Sequence, residues 1–372
     1  MADYEVDYSE VMGKKVECIP ECGLCCLCQP EVLPNERLFF EKNHPKALVK
    51  SRPPGSYSAL AMKKGKGSCV FLNNRRCDVY ENRTSYCKQF PYHIYVGDKV
   101  KVELDLSCRG AWTGRGSDAF SEAQEIVQRA DPRIRQATVE AAAVYKEFYS
   151  NCKETGVMGS SSELRMSVAN NLAKFTDMEY LGDVMEASMM EACMTLPSVK
   201  KGTAELHEIE EAAMVAAMES MATNDAFVAP VYCDENWNWN IFMANESKNR
   251  IDWVLLNEDG DTEDKGHSKI DEIRIKPLSA GGDKILSDYV LILNKRESFM
   301  GSVFSLIDSN DYEDSMANAY YGCISTAILD VLWRASMLDH FMKTGMGEKG
   351  IREAIIYYDM DRLDAPAIGA FV

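Results

Sequence analysis

Residues 18–28 read C-I-P-E-C-G-L-C-C-L-C, five cysteines in eleven positions. A stretch with so little apolar material cannot build a core of its own, so something must tie its thiols together: disulfides, a zinc knot, an iron–sulfur nest or a reactive redox site. Thirteen cysteines are spread over 372 residues, an odd number in a chain far longer than the usual disulfide scaffold. The first residues, M-A-D-Y-E-V-D-Y-S-E, are acidic where a signal peptide is basic and then apolar. No apolar run approaches the ~18 residues that suggest a membrane span. The expectation is a cytoplasmic protein with no membrane association. Disulfides rarely persist in that compartment, so dense cysteine there points to metal or thiol chemistry.

Charge divides the chain as unevenly as cysteine does. Residues 1–116 hold 18 Lys+Arg against 14 Asp+Glu, net +4, and nine of the 13 cysteines; the remainder holds 23 against 44, net −21. The organisation expected is a cysteine-cluster metal-binding module at 1–116, a helical extension at 117–160 and an acidic, mainly helical domain at 161–372. The acidic balance argues against nucleic acid, whose phosphates need clustered Lys/Arg.

The fold class expected is α+β, mainly helical: a small loop-rich cysteine module, then a mostly α-helical body with a small β component. The module is punctuated by P-P-G at 53–55, G-K-G at 65–67 and N-N at 73–74. Its clearest element is H-I-Y-V-G-D-K-V-K-V-E-L, an alternating hairpin about Gly97–Asp98 that leads to Cys108. So small a module lacks apolar core, and a bound metal would supply the missing stability. From Ser117 to Met158 the pattern is helical, with a break between two helices expected at Asp131–Pro132. G-S-S-S-E at 159–163 reads as a linker with Ser162 as the next helix cap. Several helices are expected over 164–222, separated at Pro197 and Gly202. Residues 223–295 read as mixed, with strands at I-D-W-V-L-L and D-Y-V-L-I-L; residues 312–345 read as helix, and the tail beyond Asp359 as irregular.

The cysteines fall into three groups: Cys18-x3-Cys22-x2-Cys25-Cys26-x-Cys28, then Cys69-x7-Cys77-x9-Cys87, then Cys108 in S-C-R-G-A-W-T-G-R-G. Thiols two or three residues apart can face one centre through a tight turn. Gly23 lets backbone N–H groups approach the sulfurs, and such donors stabilise thiolates and tune potentials. Cys25 and Cys26 are neighbours whose side chains are expected to diverge, one toward a second metal or the core.

Residues 18–116 resemble the YkgJ-type cysteine-cluster family, in which C-G-x-C-C is followed by C-x-F-L, C-x-I-Y-x-x-R-P-x-x-C-R-x-F-P and C-P-G-x-G-x-G. Cys22-Gly23-Leu24-Cys25-Cys26, Cys69, Phe71–Leu72, Cys77, Tyr80, Arg83, Cys87 and Phe90–Pro91 match; Cys108-Arg109-Gly110 with Gly114 and Gly116 matches more loosely. The chain departs from the pattern in the three-residue gap after Cys18, in Thr84 where proline is usual, and in the additional Cys28. The resemblance implies iron–sulfur or zinc binding, with Cys18, Cys22, Cys25, Cys26, Cys69, Cys77, Cys87 and Cys108 as metal ligands.

All-thiolate ligation suits zinc and iron–sulfur clusters alike. A zinc ribbon's second C-x-x-C knuckle is missing, and one dense run with irregular later spacings favours one or two clusters of the 4Fe–4S type, with zinc the alternative. The function expected is iron–sulfur binding for electron transfer, or as an accessory in maturing a redox enzyme that is its protein partner, in an anaerobic setting. Two alternatives stand beside it. One is a protein N-methyltransferase resembling the flagellin lysine methylase, which has a similar cysteine cluster. The other is a zinc-stapled interaction module. Whether the chain is an enzyme is left open, and no catalytic or organic-cofactor residue is assigned.

Other features read as structural first. Cys28, Cys152, Cys193, Cys233 and Cys323 are candidates for ordinary buried thiols. G-A-W-T-G-R-G reads as a glycine-rich turn rather than a phosphate loop. His93 reads as hydrogen-bonded rather than as lining the cysteine pocket. Met185, Met189, Met190 and Met194, with Met214, Met218 and Met221, fall on helix faces suited to core packing or a plastic partner surface. Trp237 and Trp239 in Y-C-D-E-N-W-N-W-N read either as a ligand patch or as alternation along a half-buried strand.

Overall fold

The computed structural model describes residues 4–51, 57–190, 195–197, 199, 202, 204–223, 225–226, 228–361 and 365–372. The turn at 53–55, Cys193 and Met194 lie outside the described residues, as do the side chains of Met189 and Met190.

Turn formers keep the elements of the first part short. In chain order come β1 (Val6–Asp7), β2 (Lys15–Val16), α1 (Pro34–Asn43), the pair β3 (Leu48–Lys50) and β4 (Ser58–Leu60), the hairpin β5 (Leu72–Asn73) and β6 (Arg76–Cys77), α2 (Ser85–Gln89), and the hairpin β7 (Tyr92–Val96) and β8 (Val100–Leu104). The last of these is the hairpin read from the sequence, with Ile94 opposite Val102. β9 (Ser117–Asp118) returns to pair with β2.

α3 (Ala119–Thr155) is one helix of 37 residues with Pro132 inside it, which corrects the expected break. Proline removes one helical hydrogen bond and crowds the preceding turn, at about 3 kcal/mol. An unbroken apolar face offsets that cost: Ile126, Ala130, Ile134, Ala137, Ala141, Tyr145 and Phe148 are all buried on both sides of the proline. Asp131 is also held by the Tyr4 hydroxyl at 2.8 Å and by Arg135 at 2.9 Å. α4 (Ser161–Asn170) is capped by Ser160 rather than Ser162, since Ser160 Oγ accepts from the Glu163 N–H at 3.4 Å.

α5 (Met178–Met190) and α6 (Leu206–Met218) precede an antiparallel sheet of β10 (Val231–Cys233), β11 (Trp239–Asn245), β12 (Arg250–Leu256) and β13 (Thr262–Lys269), in that order. I-D-W-V-L-L therefore lies on β12 as expected, whereas D-Y-V-L-I-L lies in α7 (Gly282–Lys295). The reason is period: Leu286, Tyr289, Val290 and Leu293 are buried at helical spacing on one face. α8 (Glu297–Ser309), α9 (Met316–Met342) and α10 (Glu348–Asp361) follow. α10 extends past Asp359, and β14 (Ala370–Phe371) pairs with β7, so part of the tail is ordered on a sheet edge. The first sheet thus runs β1–β8–β7–β14. The whole is mixed α+β and mainly helical. No helix among the described residues is long and apolar enough to cross a membrane.

α9 is apolar around its circumference and is buried by α5, α6, α8 and α10. Met218 and Met221 are buried, and Met185 and Met214 pack against the same core, which is the packing role read for those four. One hydrophobic cluster continues from Val11 through the β7–β8 hairpin and α3 to Tyr358. A buried ionic clasp joins the same elements. Arg296 donates to Glu10 at 3.1 Å, to Asp359 at 2.7 Å and to the Leu104 carbonyl at 2.7 Å. Asp359 also accepts from the Leu106 N–H and the Tyr289 hydroxyl, each at 2.7 Å.

Candidate metal centre

Short-range backbone geometry gathers the thiols. Gly23 takes φ +63°, reversing the chain after Cys22, and L-C-C-L (Leu24–Leu27) forms a single 3₁₀ turn. A side chain on Gly23 would also press on Trp239 and Leu72 at 3.2–3.3 Å. The Cys69 N–H donates to the Cys26 carbonyl at 2.7 Å, docking the second cysteine group on the first. Asn74 and Arg75 both take positive φ in the β5–β6 turn, the tight hairpin geometry that brings Cys77 opposite Leu72. Thr84, where the family carries proline, caps α2: its hydroxyl accepts from the Cys87 N–H and donates to the Cys87 sulfur, each at 3.3 Å. Cys108 opens a 3₁₀ turn in which Gly110 lies against the Glu17 carbonyl; a Cβ there would stand 1.8 Å from that oxygen.

These pieces surround two adjoining cavities. The first, of about 440 Å³, is lined by Cys18, Cys25, Cys26, Cys28, Cys69, Cys77 and Cys87. The second, of about 570 Å³, is lined by Cys18, Cys22, Cys25, Cys87 and Cys108. Cys18, Cys25 and Cys87 face both, Cys26, Cys69 and Cys77 only the first, and Cys22 and Cys108 only the second. Cys25 and Cys26 hydrogen-bond to each other, yet Cys25 faces both cavities while Cys26 packs against two hydrophobic clusters. Cys28 is exposed on the rim of the first cavity. Among the described residues, no three His, Cys, Asp or Glu side chains converge on one ion-sized point.

Donors are directed at the sulfurs throughout. The backbone N–H of residue i+2 serves Cys22 (Leu24), Cys69 (Phe71), Cys77 (Val79) and Cys108 (Gly110), while Tyr80 hydrogen-bonds to Cys18. Burial pushes most of the thiols up, Cys69 to about 11 and Cys87 to about 12, with Cys108 raised as well. Cys22 goes the other way, lowered to about 7 by hydrogen bonding to Cys233 against its burial, with the Leu24 amide and the Arg109 and Arg75 guanidiniums in support. Arg83 acts in the same direction on Cys18, Cys25 and Cys77. Three guanidiniums thus face a set of thiols whose metal-bound form is anionic, and soft thiolates with amide donors fit either zinc or iron.

Two features of the site were not assigned to it from the sequence. Cys233, read as a buried thiol, has its sulfur 3.8 Å from that of Cys22. Trp239, at the start of β11, donates its indole N–H to the Cys22 carbonyl at 2.9 Å, and Arg75 stacks on that indole at 3.4 Å. Trp237 is in the turn before β11 with φ +64°, so the two tryptophans do not alternate along one strand. The Y-C-D-E-N-W-N-W-N segment gave a signal in its composition, but nothing in its spacing links it to the distant cysteines. His93 pairs with Asp105 at 3.2 Å, the hydrogen-bonded reading. The glycines after Cys108 form a turn whose Arg115 pairs with Glu17 at 2.9 Å.

Soft donors around cavities, with amides trained on the sulfurs, define the class: a thiolate chelating module. Residues 17–109, within the N-terminal third, match the model of the CxxCxxCC family, whose description is "Putative zinc- or iron-chelating domain". No curated protein and no solved structure matches the chain.

Proposed function

We propose that the chain binds iron–sulfur clusters, one or two of the 4Fe–4S type, through Cys18, Cys22, Cys25, Cys26, Cys69, Cys77, Cys87 and Cys108. The observation that carries this reading is the set of thiols around two adjoining cavities with N–H or O–H donors on six of those eight sulfurs. A cavity of about 440 Å³ is far larger than one ion and accommodates a polynuclear group. When bound, such a group supplies one-electron chemistry, and this chain's amides and arginines would set its potential through hydrogen bonds and charge. The role that follows is electron transfer to, or maturation of, a redox enzyme in a reducing, cytoplasmic and anaerobic setting. The body at 161–372 would serve as the partner-facing domain.

Anaerobic purification with metal and acid-labile sulfide analysis tests the proposal. Brown protein with iron and sulfide in equal amounts is the expected result. Colourless protein with stoichiometric zinc and no sulfide would overturn it in favour of a zinc-stapled module.

A further inference from the structure

The cysteine run does not face only its own module. β10 ends at Cys233, whose side chain is fully buried, and the register of the sheet sets Cys233 opposite Trp239. Trp239 and Arg75 together grip the Cys22 carbonyl, at 2.9 and 3.3 Å. On the other side Arg109, the residue after Cys108, donates to the Cys233 carbonyl at 2.6 Å and forms a bidentate pair with Glu353 of α10, which also accepts from Tyr232. The approach of the two sulfurs is therefore fixed by contacts on both flanks. The Cys233 thiol also lies 3.9 Å from the Asp234 carbonyl.

The separation is informative in itself. Two thiolates on one tetrahedral metal ion, each at ~2.3 Å, stand about 3.8 Å apart, and the Cys22 and Cys233 sulfurs are 3.8 Å apart. Cys233 lies outside the matched segment, which ends at residue 109.

We propose that Cys233 is a metal ligand, binding the same thiophilic, tetrahedral metal ion as Cys22, so that the acidic body completes a centre otherwise built by the cysteine module. The proposal rests on the metal-binding reading above but not on the choice of iron over zinc. Each iron of a 4Fe–4S cluster takes a single thiolate, so the shared ion is a mononuclear centre or one iron of a two-iron cluster, and Cys22 then leaves the 4Fe–4S ligand set. Both thiols lose their protons on binding, and the ion is the only species added. Cys108, which lines the same cavity as Cys22 and precedes the arginine that holds the Cys233 carbonyl, is a candidate for a third ligand.

The test uses the full chain, purified anaerobically as wild type, Cys233→Ala, Cys233→Ser, Cys22→Ala and the Cys22→Ala/Cys233→Ala double variant. Cys152→Ala, a buried thiol in α3, is the control. Iron, sulfide and zinc per chain are measured, and each apoprotein is titrated with Co²⁺ to read thiolate-to-cobalt absorption. Cys233→Ala and Cys22→Ala should each lose the same ion, about one per chain or the cluster that contains it, and the double variant should lose no more than either. Cys233→Ser should retain the fold and weaken the cobalt charge-transfer band. Unchanged metal content and cobalt spectrum in both Cys233 variants, or losses that add in the double variant, would overturn the proposal. Wild type that carries zinc without sulfide, lost in Cys233→Ala, would remove the iron–sulfur reading and leave Cys233 a ligand. Iron and sulfide present in wild type, with iron, sulfide and zinc all unaffected by Cys233→Ala, would do the reverse.

Discussion

Thr84 shows how one side chain serves fold and site together. Its hydroxyl satisfies an N–H at the start of α2 and donates to the sulfur of Cys87 in the same turn. Thr84→Val keeps the shape and removes both bonds, so urea unfolding should show a loss of about 1–2 kcal/mol. The sequence marked this position only as a departure from the family pattern; its role required knowing where Cys87 points. The eight cysteines themselves were legible, because their spacing and flanking residues form an ordered motif. Cys233 and Trp239 were not, because they reach the site through the register of β10 on β11, and register is set by tertiary packing rather than by local spacing.

Elements were read correctly where periodicity and turn chemistry agreed, as in β7–β8 and α9. They were misread where a local signal opposed packing. Pro132 argued for two helices, yet the apolar face of α3 is continuous across it. Pro132→Ala restores a helical N–H and should raise stability by about 1–3 kcal/mol, visible as a higher melting temperature. D-Y-V-L-I-L has strand-like composition, but its buried positions, Tyr289, Val290 and Leu293, follow helical spacing that Leu286 continues one turn earlier. A six-residue window is too short to separate the two periods.

The whole molecule is joined by the Arg296 clasp, which ties Glu10, the strand end at Leu104 and Asp359 of α10 into one buried network. Burial alone would raise the Asp359 carboxyl, but Arg296, the Tyr289 hydroxyl and the Leu106 amide hold it below the ordinary aspartate range. The folded chain therefore binds this proton less readily than the unfolded chain. The stabilisation is complete above about pH 4 and is lost as pH falls through the lowered folded value. Asp359→Asn should cost about 3–5 kcal/mol at pH 7, and the gap to wild type should close toward pH 2, as followed by denaturant melts across pH. Metal removal acts at the same scale but elsewhere. Chelation should expose the cysteine loops of residues 18–89 to limited proteolysis first, while the β7–β8 hairpin and the α9-centred body, which share one large core, stay resistant.

Trp239 lies under Arg75 with its indole N–H on the Cys22 carbonyl, which makes it a built-in optical gauge of loading. An iron–sulfur chromophore absorbs where an indole emits, so a filled site should darken this fluorophore by energy transfer, and zinc, which is colourless, should leave it bright. The drop in emission on anaerobic reconstitution, smaller in Trp239→Phe because the other four tryptophans remain, reads the identity of the bound metal from within the protein.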